Sequence, residues 1–164
     1  MNTMKIQNYV VDCARDAANM AFRYASAVPE EKLDWSPKGE GGEGRSVLSM
    51  CRELAWTPEW ACAAMNPQPQ DWSEEQREAA RQLEQNWKTV DDCHAQFNER
   101  FKKWEETVLA LSDEDLSKTK WLPYDGGRDF TYLEMLDYVR WNSTYHLGQI
   151  AYIQILYGDK EIYW

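Results

Sequence analysis

Four stretches of this chain set apolar residues at alternating steps of four and three, and that spacing limits what it can fold into more than any other feature. In the first, Ile6, Val10, Cys13, Ala17, Met20, Tyr24 and Ala27 fall on one helical face, and Pro29 closes the segment. The second, "SVLSMCRELAW", opens on Ser46, whose hydroxyl suits a helix N-cap. Pro58 near its far end predicts a kink or a break around Thr57, with Thr57 and Pro58 able to start a fresh turn. In the third, Ser73 with Gln76 reads as a capping box. The stripe Ala80, Leu83, Trp87, Val90, His94, Phe97, Phe101, Trp104, Val108 and Leu111 then predicts one long helix. The fourth opens on a second capping box, Thr131 with Glu134. Tyr132, Leu136, Val139, Ser143, His146, Ile150, Ile153 and Tyr157 share its inner face, and Gly158 suits its end.

Between these stretches the chain reads as connector. "EEKLDWSPKGEGGEG" is rich in glycine, but no Gly-Lys-Ser/Thr follows, and Glu40 and Glu43 would repel a phosphate. "MNPQPQDW" is turn-rich, "LSDEDL" ends the third helix, and "WLPYDGGRDF" suits a short hairpin around Asp125, Gly126 and Gly127. Four amphipathic helices without a substantial strand specify an all-α four-helix bundle. At 164 residues the expectation is a single domain, 1–164, with a sizeable core.

A formal charge of −10 excludes the basic footprint that a phosphate backbone requires, so no nucleic-acid partner is expected. The same deficit of Lys and Arg argues against anionic membranes, and no apolar run reaches the length of a membrane span. "MNTMKIQNYVVDCARD" lacks the apolar core of a secretory signal. Cys13, Cys51, Cys62 and Cys93 are scattered with no CxxC pair, which fits reduced thiols packed as small hydrophobes in a cytoplasmic protein.

Only two histidines are present. His94 lies on the apolar stripe of the third helix and reads as a core or pocket-lining residue bonded to the backbone. Asn142 and His146 are four apart on the fourth helix and point the same way. Glu53, in the middle of the second helix, is the nearest carboxylate with an inward orientation. The C-terminal "KEIYW", beside Tyr152 and Tyr157, reads as a packing tail first and a dimer contact second.

Two segments carry a resemblance. "VPEEKLDWSPKGEGGEGRSVLSMCRELAW" is similar to the connector and second helix of the DinB-like four-helix bundles, also described as DinB/YfiT-like metalloenzymes, where Trp-x-Pro precedes S-I-x-x-L-L-x-H. "YLEMLDYVRWNSTYHLGQI" resembles that family's last helix and its H-x-x-x-H-x-G-Q marker, matched directly by His146, Gly148 and Gln149. The resemblance covers essentially the whole chain. It implies an up-down-down-up helix order, a homodimer, and a metal site of three histidines, which here falls on Glu53, Asn142 and His146. Only one histidine remains.

Two readings follow. In one, Glu53, Asn142 and His146 form a metal-free polar cluster, the remnant of a degenerate site in a protein without the family's usual metal chemistry, so that no cofactor is expected. In the other they hold a weakly bound divalent metal, shifted by its oxygen ligands towards manganese or calcium. The chain would then be a metal-dependent thiol-S-transferase or hydrolase acting on a thiol or other small molecule.

Overall fold

The computed structural model describes residues 5–39, 42–66 and 73–164. Four long helices make the bundle: α1 (Ile6–Ser26), α2 (Val47–Met65), α4 (Val90–Ala110) and α6 (Tyr132–Leu156). Shorter elements join them: β1 (Lys38–Gly39) and β2 (Gly42–Glu43), α3 (Glu74–Glu84), α5 (Asp113–Leu116), and the hairpin β3 (Thr119–Leu122) and β4 (Arg128–Thr131). The connector expected at residues 65–72 lies largely outside the described residues.

Helix direction can be read from side-chain partners. Arg52 reaches the Trp87 carbonyl and Glu59 pairs with Arg100, so α2 and α4 run parallel. Thr57 meets Asn142 while Met65 meets Tyr132, so α2 and α6 run antiparallel. Arg15 pairs with Glu105 while Phe22 stacks on His94, so α1 and α4 are also antiparallel. The order is therefore up-down-down-up, with α2 and α6 sharing the seam that carries the candidate residues.

The caps follow local chemistry. Ser46 accepts from the Ser49 N–H at the start of α2, and Thr131 with Glu134 completes a capping box at α6. Gly158, at φ 100°, follows the end of α6 in a conformation that glycine adopts without strain.

One expectation is corrected and another is narrowed. The stripe from Ala80 to Leu111 is not one helix: the chain leaves α3 after Glu84 and restarts at α4 behind a capping box of Thr89 and Asp92. Both ends are satisfied locally, which favours two helices over a continuous one. Of the kink or break expected around Thr57, the break is absent: α2 runs on through Pro58. It lies inside the helix, its missing N–H forfeits only the bond to the Leu54 carbonyl, and the adjacent Thr57 hydroxyl donates to the Glu53 carbonyl at 3.0 Å.

Ala14, Ala21, Phe22, Leu54, Trp104, Val108, Leu136 and Ile150 are all buried to within 1% of full, one core shared by the four long helices. The hairpin sits at one end of the α2–α6 seam. It turns through Asp125, Gly126 and Gly127, all with positive φ, and its strands pair in antiparallel register from Thr119 opposite Thr131 to Leu122 opposite Arg128.

Candidate functional site

The structure brings Glu53, Asn142 and His146 together where α2 crosses α6. His146 Nε2 lies 3.1 Å from Glu53 Oε1, and Asn142 Nδ2 lies 3.4 Å from the same oxygen. Asn142 and His146 are both 2% exposed, whereas the Glu53 side chain keeps 39% of its surface open to the adjoining cavity.

Three further residues, all outside the expected set, complete the cluster. Arg45, from the loop before α2, donates to Glu53 Oε2 and to the Ser49 carbonyl. Thr57, one turn beyond Glu53, accepts from Asn142 Nδ2 at 2.9 Å and turns its own hydroxyl to the Glu53 carbonyl. Gln149, one turn beyond His146, places Oε1 2.7 Å from His146 Nδ1. Each ring nitrogen of His146 thus has one partner, Gln149 at Nδ1 and Glu53 at Nε2, and the two contacts fix the plane of the ring.

The electrostatics follow. The hydrogen bond from His146 is the main cause that pulls the Glu53 carboxyl down to about 2. Partial burial opposes it, and Arg45 reinforces it. Glu53 is therefore a fixed negative charge at neutral pH rather than a proton acceptor tuned to it.

A divalent metal does not fit this donor set as arranged. Oε2 of Glu53 is engaged by Arg45 and Oε1 by His146, and Asn142 turns its amide N–H₂ inward, where a ligand oxygen would be required. Among the described residues, no three His, Cys, Asp or Glu side chains group as a metal site would require.

Next to the cluster opens a cavity of about 660 Å³ between α2, α6 and the hairpin. Its walls carry Trp56, Trp60, Tyr124, Phe130, Tyr138 and Trp141. Trp60 packs against Tyr138 at 4.5 Å and edge-on to Tyr124 at 5.7 Å, and Tyr138 stacks on Trp141 at 5.5 Å. Burial raises the Tyr138 hydroxyl pKa, and the Glu53 and Tyr124 charges push it the same way. Around these rings stand the carboxylates of Glu53, Asp125, Glu134 and Asp137 and a single guanidinium, Arg128. Arg128 pairs with Asp125 and Glu134 and covers the Phe130 ring at 3.7 Å.

His94 is elsewhere. It stacks on Phe22 at 4.4 Å, half-buried, with its pKa lowered mainly by burial, and it does not line this cavity. The four cysteines are free. Burial raises Cys51 and Cys62 and pushes Cys93 up to about 12, the reverse of what a nucleophile needs.

Comparison with known proteins places this geometry in a family. The fold matches YfiT from Bacillus subtilis, described as a probable metal-dependent hydrolase with an unusual four-helix bundle topology. The TM-score is 0.69 and the identity 16%, over 96% of this chain and 92% of that one. It also matches the colibactin self-resistance protein ClbS, solved in complex with a dsDNA, with TM-score 0.65 and 11% identity over 91% and 95% of the two chains. A Streptococcus pneumoniae protein matches with TM-score 0.56 and 14% identity over 98% and 95%. At such identities the likeness is one of fold alone. No curated protein matches the sequence. The DinB superfamily model matches residues 14–150, most of the sequence, and the chain belongs to the DinB superfamily.

Proposed function

We propose that the chain is a metal-independent binding protein in which an ionic cluster, Glu53 with His146 and Arg45, stands where relatives would hold a metal. Its ligand is a small organic cation seated in the adjoining aromatic cavity. The observation that carries this reading is the engagement of Glu53: His146 holds Oε1 and Arg45 holds Oε2, so a metal would have to displace or share both contacts with a guanidinium beside it. Six aromatic rings line the cavity; its carboxylates are already paired, Glu53 with Arg45, Asp125 and Glu134 with Arg128 and Asp137 with Arg140, so the ring faces are what would hold the cation. Ring faces attract a cation by about 0.5–2 kcal/mol each when desolvated. The free cysteines support a reducing, cytoplasmic setting.

One observation favours the alternative, a metal-dependent thiol-S-transferase or hydrolase using Glu53, Asn142 and His146. Gln149 on His146 Nδ1 is the kind of partner that orients a metal-ligating imidazole. That arrangement would require Arg45 to withdraw and Asn142 to turn its oxygen inward.

Elemental analysis separates the two. Protein purified without chelator or nickel resin, then offered manganese, zinc and nickel in turn, is expected to retain none stoichiometrically. Stoichiometric metal that disappears in His146→Ala overturns the ionic-cluster reading. For the ligand, choline is expected to change tryptophan fluorescence saturably, with its neutral isostere 3,3-dimethylbutan-1-ol at least tenfold weaker and Trp60→Ala abolishing the response. Equal affinity for the two compounds overturns the cation assignment.

A further inference from the structure

Helix α3 buries none of its residues, although its sequence is amphipathic. At the α-helical repeat Ala79, Ala80 and Leu83 fall within an arc of about 100°, and Glu74, Glu78 and Arg81 lie on the opposite side. An apolar arc of this kind ordinarily meets a core. Here it meets a second cavity, of about 710 Å³, whose other wall is one face of α2. Trp56, Glu59, Trp60 and Ala63 make that wall, at the spacing that sets residues side by side on a helix.

The charged groups around this cavity are already engaged. Glu84 accepts from Trp56 Nε1 at 2.7 Å, Glu59 pairs with Arg100 at 3.0 Å, and Arg77 faces Glu74 at 4.0 Å. What the walls leave for a ligand is indole surface, the methyl groups of three alanines and the Leu83 side chain. The C-terminal end of α3 is tied down, by the Trp56 bond to Glu84 and by Arg52, which donates to the Trp87 carbonyl at 2.8 Å. The helix itself has 11 residues, fewer than the ~12–15 at which an isolated helix begins to hold in water. It therefore depends on packing, and its apolar arc is set against the cavity where that packing would be.

We propose that the space between α2 and α3 is a second ligand site, taking an uncharged hydrocarbon molecule that packs between Trp56 and Trp60 on one side and the apolar arc of α3 on the other. Its volume lies within the ~300–1,000 Å³ of small-molecule sites. Both walls belong to this chain, so the gap suits a small molecule rather than the surface of a partner protein. Trp56 and Trp60 also wall the aromatic cavity, but α3 contributes to this site alone. The proposal does not depend on what the aromatic cavity holds.

Calorimetry of the full chain with 1-butanol, 1-hexanol and 1-octanol tests this. Affinity should rise about fourfold with each added CH₂. Saturating 1-octanol should slow amide exchange at residues 78–84 at least fivefold, because burial of the apolar arc makes the helix open less often. Leu83→Gln should weaken 1-octanol at least fivefold and leave the melt of the unliganded protein unchanged, since Leu83 is 41% exposed and packs in no core. Ala80→Phe places a ring in the gap and should slow the same amides without ligand while abolishing 1-octanol binding. Choline should leave exchange in α3 unchanged. Affinity indifferent to chain length, 1-octanol binding that does not protect α3, or binding undiminished in both variants overturns the proposal. Protection of α3 by choline as strong as that by 1-octanol also overturns it, because the two cavities would then be one site.

Discussion

Replacing Glu53 by Gln removes one charge from the α2–α6 seam while keeping the shape of the side chain. The amide has one oxygen, so it can accept from His146 or from Arg45 but not both, and its N–H₂ must face whichever donor is left. Depression of the Glu53 carboxyl from 4.5 to about 2 corresponds to at most ~3.4 kcal/mol of native-state preference for the charged form. The side chain is 39% exposed and Arg45 44%, so solvent screening reduces this to about 1–2 kcal/mol. For a domain of this size that is a fall in melting temperature of roughly 2–8 °C. The sign with pH follows from the direction of the shift. A depressed carboxylate contributes its full stability above the ordinary pKa of 4.5 and loses it as pH falls towards 2. Urea denaturation of the wild type and Glu53→Gln should therefore differ by a constant amount from pH 7 to about pH 5, and the two should converge below that. A difference that is absent at pH 7, or that persists undiminished at pH 2.5, refutes the ionic cluster.

Other substitutions probe the elements that hold the site. Thr89→Ala removes the hydroxyl that accepts from the Asp92 N–H and should cost about 1 kcal/mol in urea denaturation, confirming that α4 starts there rather than continuing α3. Gly127→Ala meets φ +83° and would set its Cβ 2.9 Å from Trp121 Cζ2. It should cost about 1–2 kcal/mol and loosen the hairpin that carries Tyr124 and Phe130, read as faster amide exchange across β3 and β4. Native protein at pH 8 should leave Cys51 and Cys93 unreacted with a disulfide reagent, with both titrating only after unfolding, because burial holds their thiols protonated.

The helices were legible because burial on one face imposes a period that any reader can count, and their order was legible through the resemblance. The break between α3 and α4 was hidden by that same period. Trp87 and Val90 are buried and carry the stripe past residues where the chain is not helical, while Leu83 is 41% exposed and α3 buries no residue, so apolar spacing reports neither that the backbone is continuous nor that every member of the stripe faces the core. The stop was written in a different code: Thr89 followed three residues later by Asp92, just before an apolar run. The meeting of Glu53, Asn142 and His146 followed from matching two motifs. Arg45 did not, since it precedes Ser46 in a connector and reaches Glu53 by folding back over the first turns of α2. The aromatic cavity had no sequence signal, because Tyr124 and Phe130 come from a hairpin that only tertiary packing sets beside Trp60 and Tyr138.

Arg45 also bears on any attempt to rebuild the three-histidine site that the resemblance implies. Substituting Glu53→His and Asn142→His supplies the two missing imidazoles at positions that already face His146, with Gln149 available to orient the ring. The same double change strips Arg45 of its carboxylate and leaves a guanidinium beside the new site. A cation there opposes a divalent metal and favours none of its ligands. Zinc titration by calorimetry should therefore find weak binding in the double variant. Binding should be at least tenfold tighter once Arg45→Ser is added, and His146→Ala should abolish it in both. If the double variant binds zinc as tightly with Arg45 as without it, the guanidinium is free to leave, and Glu53 in the wild type is less firmly engaged than its contacts with His146 and Arg45 indicate. If only the triple variant binds, Arg45 is what separates this ionic cluster from a metal centre, as surely as the two lost histidines.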